Sequence, residues 1–469
     1  MTAAAPASGT WADVLGEGRL PRFALICLGV WLNAADSLVT ATIMPSVGRS
    51  LGGYAYFGWA TAGYLLGSVL AGASSGVLAL RFGLRSATAA AALLYAGGCV
   101  LSALAPEIFS FLAGRVLQGF GGGWVVGLCS AAVGMLFANR LLPRVYSAIS
   151  SVWGVAVLVG PMLGGLFADA GSWRAVFWAF AVQGLAVAAA ARMMLPAAEP
   201  GGGENAVAWR QLGLVAVGVM LIAMADLAGD FIGTAGLTAA GVAVFLLAMR
   251  LDARAAVRLL PRGSGDLHTV HGAGYATMFL LNASAMGLSV YGPAILQTLR
   301  GLTALAAGYV VGAEAVFWTA TSLPVSGLTK AWPGRLIRLG VATVFVGLAL
   351  CALVFDDGNL ILVVGASGLI GCGFGLCWAF ISQGILGALP DEERAIGGAG
   401  IATVRLTGAA AGAAMVAAVA NLVGFSHGFS EQAARAAGVW VFLTTLPVAG
   451  VACLIAWRLG SLRPAGGAE

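Results

Sequence analysis

Residues 108–136 read IFSFLAGRVLQGFGGGWVVGLCSAAVGML, twenty-nine residues carrying a single charge, Arg115. At about 1.5 Å of rise per residue, a helix of that length more than crosses a bilayer hydrocarbon core of roughly 30 Å. Its glycines would weaken a helix in water. Between helices in lipid, small residues instead let backbones approach and pack. A transmembrane barrel would show short alternating segments, which this stretch does not. It predicts a membrane-spanning helix held close against its neighbours.

The rest of the chain follows suit. Of 469 residues, 60% are hydrophobic and 9% charged, against a charged share of about a quarter in soluble domains. Apolar runs fall at 23–45, 55–79, 86–104, 108–136, 144–168 and 174–195, then at 211–228 and 231–249, and finally at 272–298, 303–328, 335–355, 359–387, 396–424 and 436–459. The expectation is an all-α polytopic membrane protein with fourteen transmembrane helices, two six-helix bundles plus two extra central helices. Its parts are a cytoplasmic segment at 1–22, an N-terminal six-helix bundle at 23–195, a linker at 196–271 holding the two extra helices and cytoplasmic loops, a C-terminal bundle at 272–459 and a cytoplasmic tail at 460–469. The first spanner follows Asp13, Glu17, Arg19 and Arg22 and has no small-residue cleavage site at its end, so it reads as a retained helix.

Charge orients these helices. With both termini inside, eighteen of the 24 Lys and Arg residues fall on cytoplasmic segments, four (Arg49, Arg174, Arg300, Arg435) lie outside and two lie in the membrane, as the positive-inside rule requires. An odd number of spanners would strand Lys330, Arg335 and Arg338 on the outer side. Lys330 is the only lysine, flanked by Thr329 and Ala331, so no phosphate-binding G-K-[ST] loop exists. All seven cysteines (Cys27, Cys99, Cys129, Cys351, Cys372, Cys377, Cys453) lie in expected spanners and read as small core residues rather than disulfides or zinc ligands. His268 and His271 lie in an arginine-rich inner loop, and Asp226 and Asp230 near a turn; solvated loop roles fit both pairs better than a metal. Nothing calls for a cofactor, a metal or nucleic acid.

The two bundles share a short repeat. Gly76 and Gly83 bracket the loop after the second spanner, and Gly327 and Gly334 bracket the matching loop in the second half, with basic residues beside each pair. Repeated halves suit a carrier whose substrate sits between two rocking bodies.

Three segments resemble the major facilitator superfamily, and within it the fourteen-spanner drug:proton antiporter branch. The fourth spanner carries Leu112-Ala113-Gly114-Arg115-Val116-Leu117-Gln118-Gly119-Phe120-Gly121, similar to that family's arginine motif. The fifth carries Gly160-Pro161-Met162-Leu163-Gly164-Gly165, similar to the antiporter signature, and the first ends Asp36-Ser37-Leu38-Val39-Thr40-Ala41-Thr42-Ile43-Met44-Pro45. Weaker echoes are Trp173-Arg174 with Phe177, and Tyr291 through Gln297. The family's loop motif keeps Gly76, Leu78, Arg81 and Gly83, but its acidic position is Leu80, so gating through that carboxylate does not carry over. The resemblance implies a carrier rather than an enzyme, with the first and fourth spanners lining a central cavity and Arg115 working beside protonatable groups.

Charges at mid-membrane cost at least a few kcal/mol each and are functional candidates. Four are found: Asp36, Arg115, Glu314 and Arg405. Asp36 lies roughly 21 Å up from the inner face and Arg115 roughly 12 Å down from the outer one. In a core of roughly 30 Å the two levels nearly coincide. Asn33, Asp36 and Thr40 share one face of the first helix, and Arg115, Gln118 and Gly122 one face of the fourth. Asp36 and Arg115 thus read either as a proton-coupling pair, since burial disfavours a carboxylate and a cation favours it, or as a permanent ion pair that fixes packing. Glu314, on a face with Trp318 and Thr321, reads as a second protonatable site, as a contact for a cationic substrate or as a neutral acid between helices. Asn33, Thr40, Gln118, Asn282 and Gln383 are the expected substrate-cavity residues. Gly76, Arg81, Gly83, Gly160, Pro161, Gly164, Gly165 and Arg405 are the expected gating and packing residues, with Arg405 on a small-residue face as a lock between bundles.

The functional expectation is proton-coupled export of apolar or amphipathic small molecules by alternating access, of the multidrug efflux type, by a monomer in a bacterial-type inner membrane. Its partners would be that substrate, protons and the lipid bilayer. A lipid or metabolite exporter of the same fold, and a non-transporting membrane receptor, remain the alternatives.

Overall fold

The computed structural model describes residues 11–16, 18–138, 141–196, 207–325 and 333–461. They contain helices and turns and no strand. After a short α1 (Trp11–Leu15) come α2 (Leu20–Leu51), α3 (Trp59–Phe82), α4 (Leu84–Leu104), α5 (Ile108–Leu136), α6 (Leu142–Asp169) and α7 (Trp173–Met194). Two intervening helices follow, α8 (Trp209–Met224) and α9 (Phe231–Arg254). The last group is α10 (Val270–Arg300), α11 (Ala304–Val325), α12 (Pro333–Val354), α13 (Leu360–Gly387), α14 (Arg394–Leu422), α15 (Glu431–Leu443) and α16 (Leu446–Leu459).

Thirteen of the helical stretches are long and apolar enough to cross a membrane, the last being α15 and α16 together, Glu431–Leu459. That stretch breaks where Pro447 at the start of α16 denies the helix a backbone donor. The fourteenth expected spanner is α8, apolar but only 16 residues long, which a 3-10 turn at Ala225–Leu227 extends. The apolar runs therefore locate the spanning helices, but their ends differ from the helix ends by a few residues. The first spanner, expected to stop at Pro45, continues to Leu51 with Pro45 inside. Missing backbone bonds at a proline are tolerated where neighbouring helices cover them. Most of the expected linker between α7 and α8, including Gly202, lies outside the described residues, as do Gly327 and Lys330.

Helices α2 to α7 pack on one another, with α5 clasped between α3 and α4, and α10 to α16 form a second set in which α13 packs on α11 and α12. The glycines of α5 explain the clasp. A Cβ at Gly119 would overlap the backbone of Tyr64, one at Gly121 the backbone of Tyr95, and one at Gly123 that of Ser68. Small residues here shorten the distance between helices, which is their use in lipid. Helices α8 and α9 pair with each other, and α8 leans on α3 and α14. The loop after α9 is tied to the start of α14: Arg258 Nη2 lies 3.0 Å from Glu393 Oε1, and the Arg262 N–H donates to Glu393 Oε2 at 3.1 Å. Burial tends to raise the Glu393 carboxyl, but these two donors more than offset it and hold it below the usual carboxylate range.

The two sets meet mainly at one end of the bundle, where α2, α6, α10 and α14 finish and α3 and α11 begin. Phe57, Tyr291, Phe425 and Phe429 form a ring cluster there, with Phe57 5.2 Å from Tyr291 and Tyr291 5.2 Å from Phe425. Asn421 Nδ2 donates to the Ala55 carbonyl at 2.7 Å, and Asp169 at the end of α6 accepts from the Ala304 N–H at 2.9 Å and the Leu305 N–H at 3.3 Å. Those are the free amides at the start of α11, which a carboxylate satisfies well. At the opposite end neither α5 nor α6 packs comparably on α13 or α14. Among the described residues, one end is closed and the other is not.

Candidate functional site

The clasp around α5 carries Arg115 into the middle of the first helix set, where Arg115 Nη1 reaches Asp36 Oδ1 on α2 at 2.8 Å. Asp36 is 0% exposed and Arg115 1%, so the pair has no solvent to share its charge. The guanidinium is surrounded on every side the chain can reach. It donates to Gln118 Oε1 on its own helix, its Nε approaches the Ala60 carbonyl at 3.4 Å, and it lies 4.5 Å from the centre of the Tyr64 ring. Gln118 passes the constraint on through Nε2 to Ser102 Oγ at 3.2 Å.

The carboxylate is less completely held. Thr40 Oγ1 donates to the Asp36 carbonyl at 2.9 Å and lies 3.3 Å from Oδ1. Oδ2 is buried and has no hydrogen-bond partner among the described residues. A buried acceptor without a donor costs about 1–3 kcal/mol, more when charged.

Of the expected substrate-cavity residues, Thr40 and Gln118 touch this pair directly. Asn33 does so at one remove, donating to the Tyr64 hydroxyl at 2.7 Å. Asn282 and Gln383 are not brought to it. Asn282 turns back to donate to the Met278 carbonyl at 2.8 Å in its own helix, and Gln383 is exposed near the end of α13. Tyr64, Ala60 and Ser102 also belong to the site; the sequence marks Tyr64 and Ser102 only by polarity inside the second and third spanners, and Ala60, which offers its backbone carbonyl, not at all.

Glu314 stands apart, in the second set. Its backbone presses on Gly371 of α13, where an added Cβ would overlap it, and its carboxyl makes no hydrogen bond or ion pair among the described residues. The face it shares with Trp318 and Thr321 packs against α13: Trp318 stacks on Phe374 at 4.8 Å, and Thr321 Oγ1 lies 3.3 Å from Cys372 Sγ. Arg405 on α14 meets α6 of the first set, with its guanidinium 5.9 Å from the Trp153 ring centre.

The packing residues divide. On α6, added Cβ atoms at Gly160 and Gly164 would meet Leu38, Val39 and Thr42 of α2, within the first set, whereas one at Gly165 would overlap the Leu305 backbone of α11. Pro161 packs on Gly308 of α11 in the same way. In the loop motif Gly83 adopts φ +74°, a left-handed conformation that suits glycine, and serves as the turn between α3 and α4. Gly76 faces open space and Arg81 is exposed over Phe82. In the inner loop His271 Nε2 lies 2.9 Å from the Arg262 carbonyl and His268 Nδ1 2.9 Å from Asp266, while Asp230 caps α9 by accepting from the Gly233 N–H. The Asp226 side chain lies outside the described residues.

Known proteins share this architecture. A probable multidrug-efflux transporter of Mycobacterium tuberculosis (strain ATCC 25618 / H37Rv) is 32% identical over 471 residues, covering 96% of this chain and 97% of that protein. The multidrug transporter protein MdtP of Bacillus subtilis (strain 168) is 23% identical over 418 residues, covering 86% of this chain and 76% of that protein. Among solved structures, a peptide transporter in complex with sulfate superposes with a TM-score of 0.67 at 15% identity, over 95% of this chain and 96% of that one. A D-xylose-proton symporter does so with a TM-score of 0.62 at 16% identity, over 91% and 97%. At those identities the two structures speak for the fold alone. The sequence model of the Major Facilitator Superfamily matches residues 26–413, most of the chain. With transporter relatives along its full length and a fold of transporters, this chain is a membrane transporter, not an enzyme, and it belongs to the Major Facilitator Superfamily.

Proposed function

We propose that the chain exports apolar or amphipathic small molecules in exchange for protons, by alternating access, as a monomer of the fourteen-spanner drug:proton antiporter branch. The observation that carries this reading is the fully buried Asp36–Arg115 pair with one carboxylate oxygen left unpartnered. A buried ion pair is weak as a stabiliser, since desolvation offsets its attraction, so a role beyond packing accounts for its presence in lipid. A proton on Asp36 cancels the carboxylate charge and frees Arg115 to reorganise the clasp of α3, α4 and α5. Helices 23–195 and 272–459 act as the two moving bodies, closed against each other at the end that holds Asp169 and the ring cluster. Glu314 serves as a second protonatable group. The efflux names of the full-length relatives agree with this cargo class.

The test is counterflow and uphill transport in proteoliposomes under an imposed pH gradient, with a small panel of dyes. Gradient-driven accumulation of at least one amphipathic dye is expected. Exchange that ignores the gradient would overturn proton coupling.

The basic residues at the open end (Arg81, Arg85, Arg192, Arg250, Arg254, Arg258) support a cytoplasmic position for that end and both termini, with the closed end outside, since positive charge favours the inner side. In a variant whose own cysteines are replaced, a cysteine at the exposed Gly265 is expected to resist an impermeant thiol reagent added to sealed, right-side-out cells. Labelling from outside would reverse the assigned orientation.

A further inference from the structure

Arg405 is a mid-membrane cation with no counter-charge among the described residues. Unlike Arg115, it makes no ion pair or hydrogen bond among the described residues, and its one close partner is the ring of Trp153 across the gap between the two helix sets. Glu314, the other lone charge, lies more than ion-pair distance from it. Trp153 and Arg405 each stand eleven residues past the first residue of their helices, α6 and α14, both of which start at the open end. They therefore sit at one depth, roughly 16 Å in.

Burial along α14 shows where that depth falls. Gly398, Ala402, Arg405, Ala409 and Val416 follow one another at helical spacing on a single face. Gly398 and Ala402 are exposed, Arg405 is half-buried, and Ala409 and Val416 are buried. On α6 Trp153 is half-buried and the next residue on its face, Ala156, is fully buried. Exposure from the open end thus falls off at Arg405 and Trp153, which meet across the gap between the two helix sets. The Asp36 charge beneath is already taken by Arg115.

We propose that Arg405 and Trp153 form a recognition site for an aromatic anion, with the carboxylate or equivalent acid group on the guanidinium and the ring system on the indole. This narrows the cargo of the exporter proposed above, and rests on that reading only for the claim that the bound molecule is moved. A guanidinium offers several donors in one plane, a fork that fits an oxyanion. In poorly hydrated surroundings such a contact discriminates strongly by charge. A cationic amphiphile would meet repulsion at the same place, and a neutral one would gain the ring contact alone.

Three probes that differ only in charge test this: pyrenecarboxylate, its methyl ester and pyrenemethylammonium. Their binding to the full chain in phosphatidylcholine nanodiscs, free of lipid anions, is read by energy transfer from tryptophan to pyrene. Wild-type protein is expected to hold the carboxylate about tenfold more tightly than the ester, and the ammonium least. Arg405→Gln should bring carboxylate and ester to parity with ester binding unchanged, and Arg405→Lys should keep part of the preference. Equal affinities across the series in wild type, or an anion preference that survives in Arg405→Gln, would overturn the site. Should the glutamine variant fail to insert, the wild-type series and the lysine variant decide alone. The same probes in proteoliposomes separate the two readings. Gradient-driven movement of the ammonium or the ester that is indifferent to Arg405 overturns the anion site and leaves the exporter standing. Arg405-dependent anion binding with no gradient-driven movement of any probe does the reverse.

Discussion

Asp36→Asn is expected to abolish uphill transport, so that dye accumulates no further than its equilibrium distribution, while counterflow without a gradient persists. The amide keeps an acceptor where Oδ1 receives Arg115, so the guanidinium, Gln118 and the Tyr64 ring stay in register. What the variant loses is the only group in the cluster that can exchange charge for a proton. Asp36→Ala is the contrasting control. It strands a buried guanidinium, which costs about 3–5 kcal/mol when a partner is removed from such a pair, and lower yield of inserted protein is expected. Undiminished uphill transport by the asparagine variant would show that the pair is a packing device and that coupling lies elsewhere, with Glu314 the next candidate.

The Asp36–Arg115 contact was legible from residue counting because a membrane fixes depth. Two charges at matching levels in helices that share a cavity have few other partners. Thr40 and Gln118 followed from helical spacing for the same reason. Gln383 and Asn282 lie away from this pair, and spacing alone says which residues share a face, not which neighbour that face meets. Asn282 satisfies itself on the Met278 carbonyl one turn back, an outcome every mid-helix asparagine has open to it.

Contacts between the two helix sets were out of reach for a deeper reason. Asp169 reads as a charge at a spanner's end, and only the tertiary arrangement puts it over the first amides of α11. Likewise Arg405 was anticipated as a lock on a small-residue face. Gly408 and Gly412 of α14 pack on Phe279 and Ala283 of α10, while the Arg405 guanidinium reaches Trp153 of α6. Whole helices, by contrast, were easy to find, because each needs an apolar run long enough to span. Their ends were not, because helices such as α2 and α10 project past the apolar run at both ends.

The glycine-proline segment of α6 reads in sequence as one set of gating and packing residues, but Gly164 and Gly165 serve different contacts, and their leucine variants should fail differently. Gly165 touches the Leu305 backbone of α11, which cannot retreat without loosening the two Asp169 caps beside it. Overpacking costs about 1–3 kcal/mol. Because that cost falls only on the state closed at this end, Gly165→Leu should shift the population toward the open form by about 5- to 150-fold. Asp169→Ala, which removes a cap worth about 0.5–2 kcal/mol, should push the same way by less. Gly164 instead touches Val39 and Thr42 of α2, inside one helix set. Its leucine variant therefore burdens every conformation alike, and lowers stability rather than shifting the balance. The readout is the labelling rate, by an impermeant thiol reagent added outside, of a cysteine at Ala417, which is buried against Gly58 in the closed seam. Faster labelling and strongly reduced transport are expected for Gly165→Leu at matched insertion, a smaller rise for Asp169→Ala, and no rise for Gly164→Leu. Wild-type labelling and transport by Gly165→Leu would mean that this end is not a gate, and that the halves open and close along some other seam.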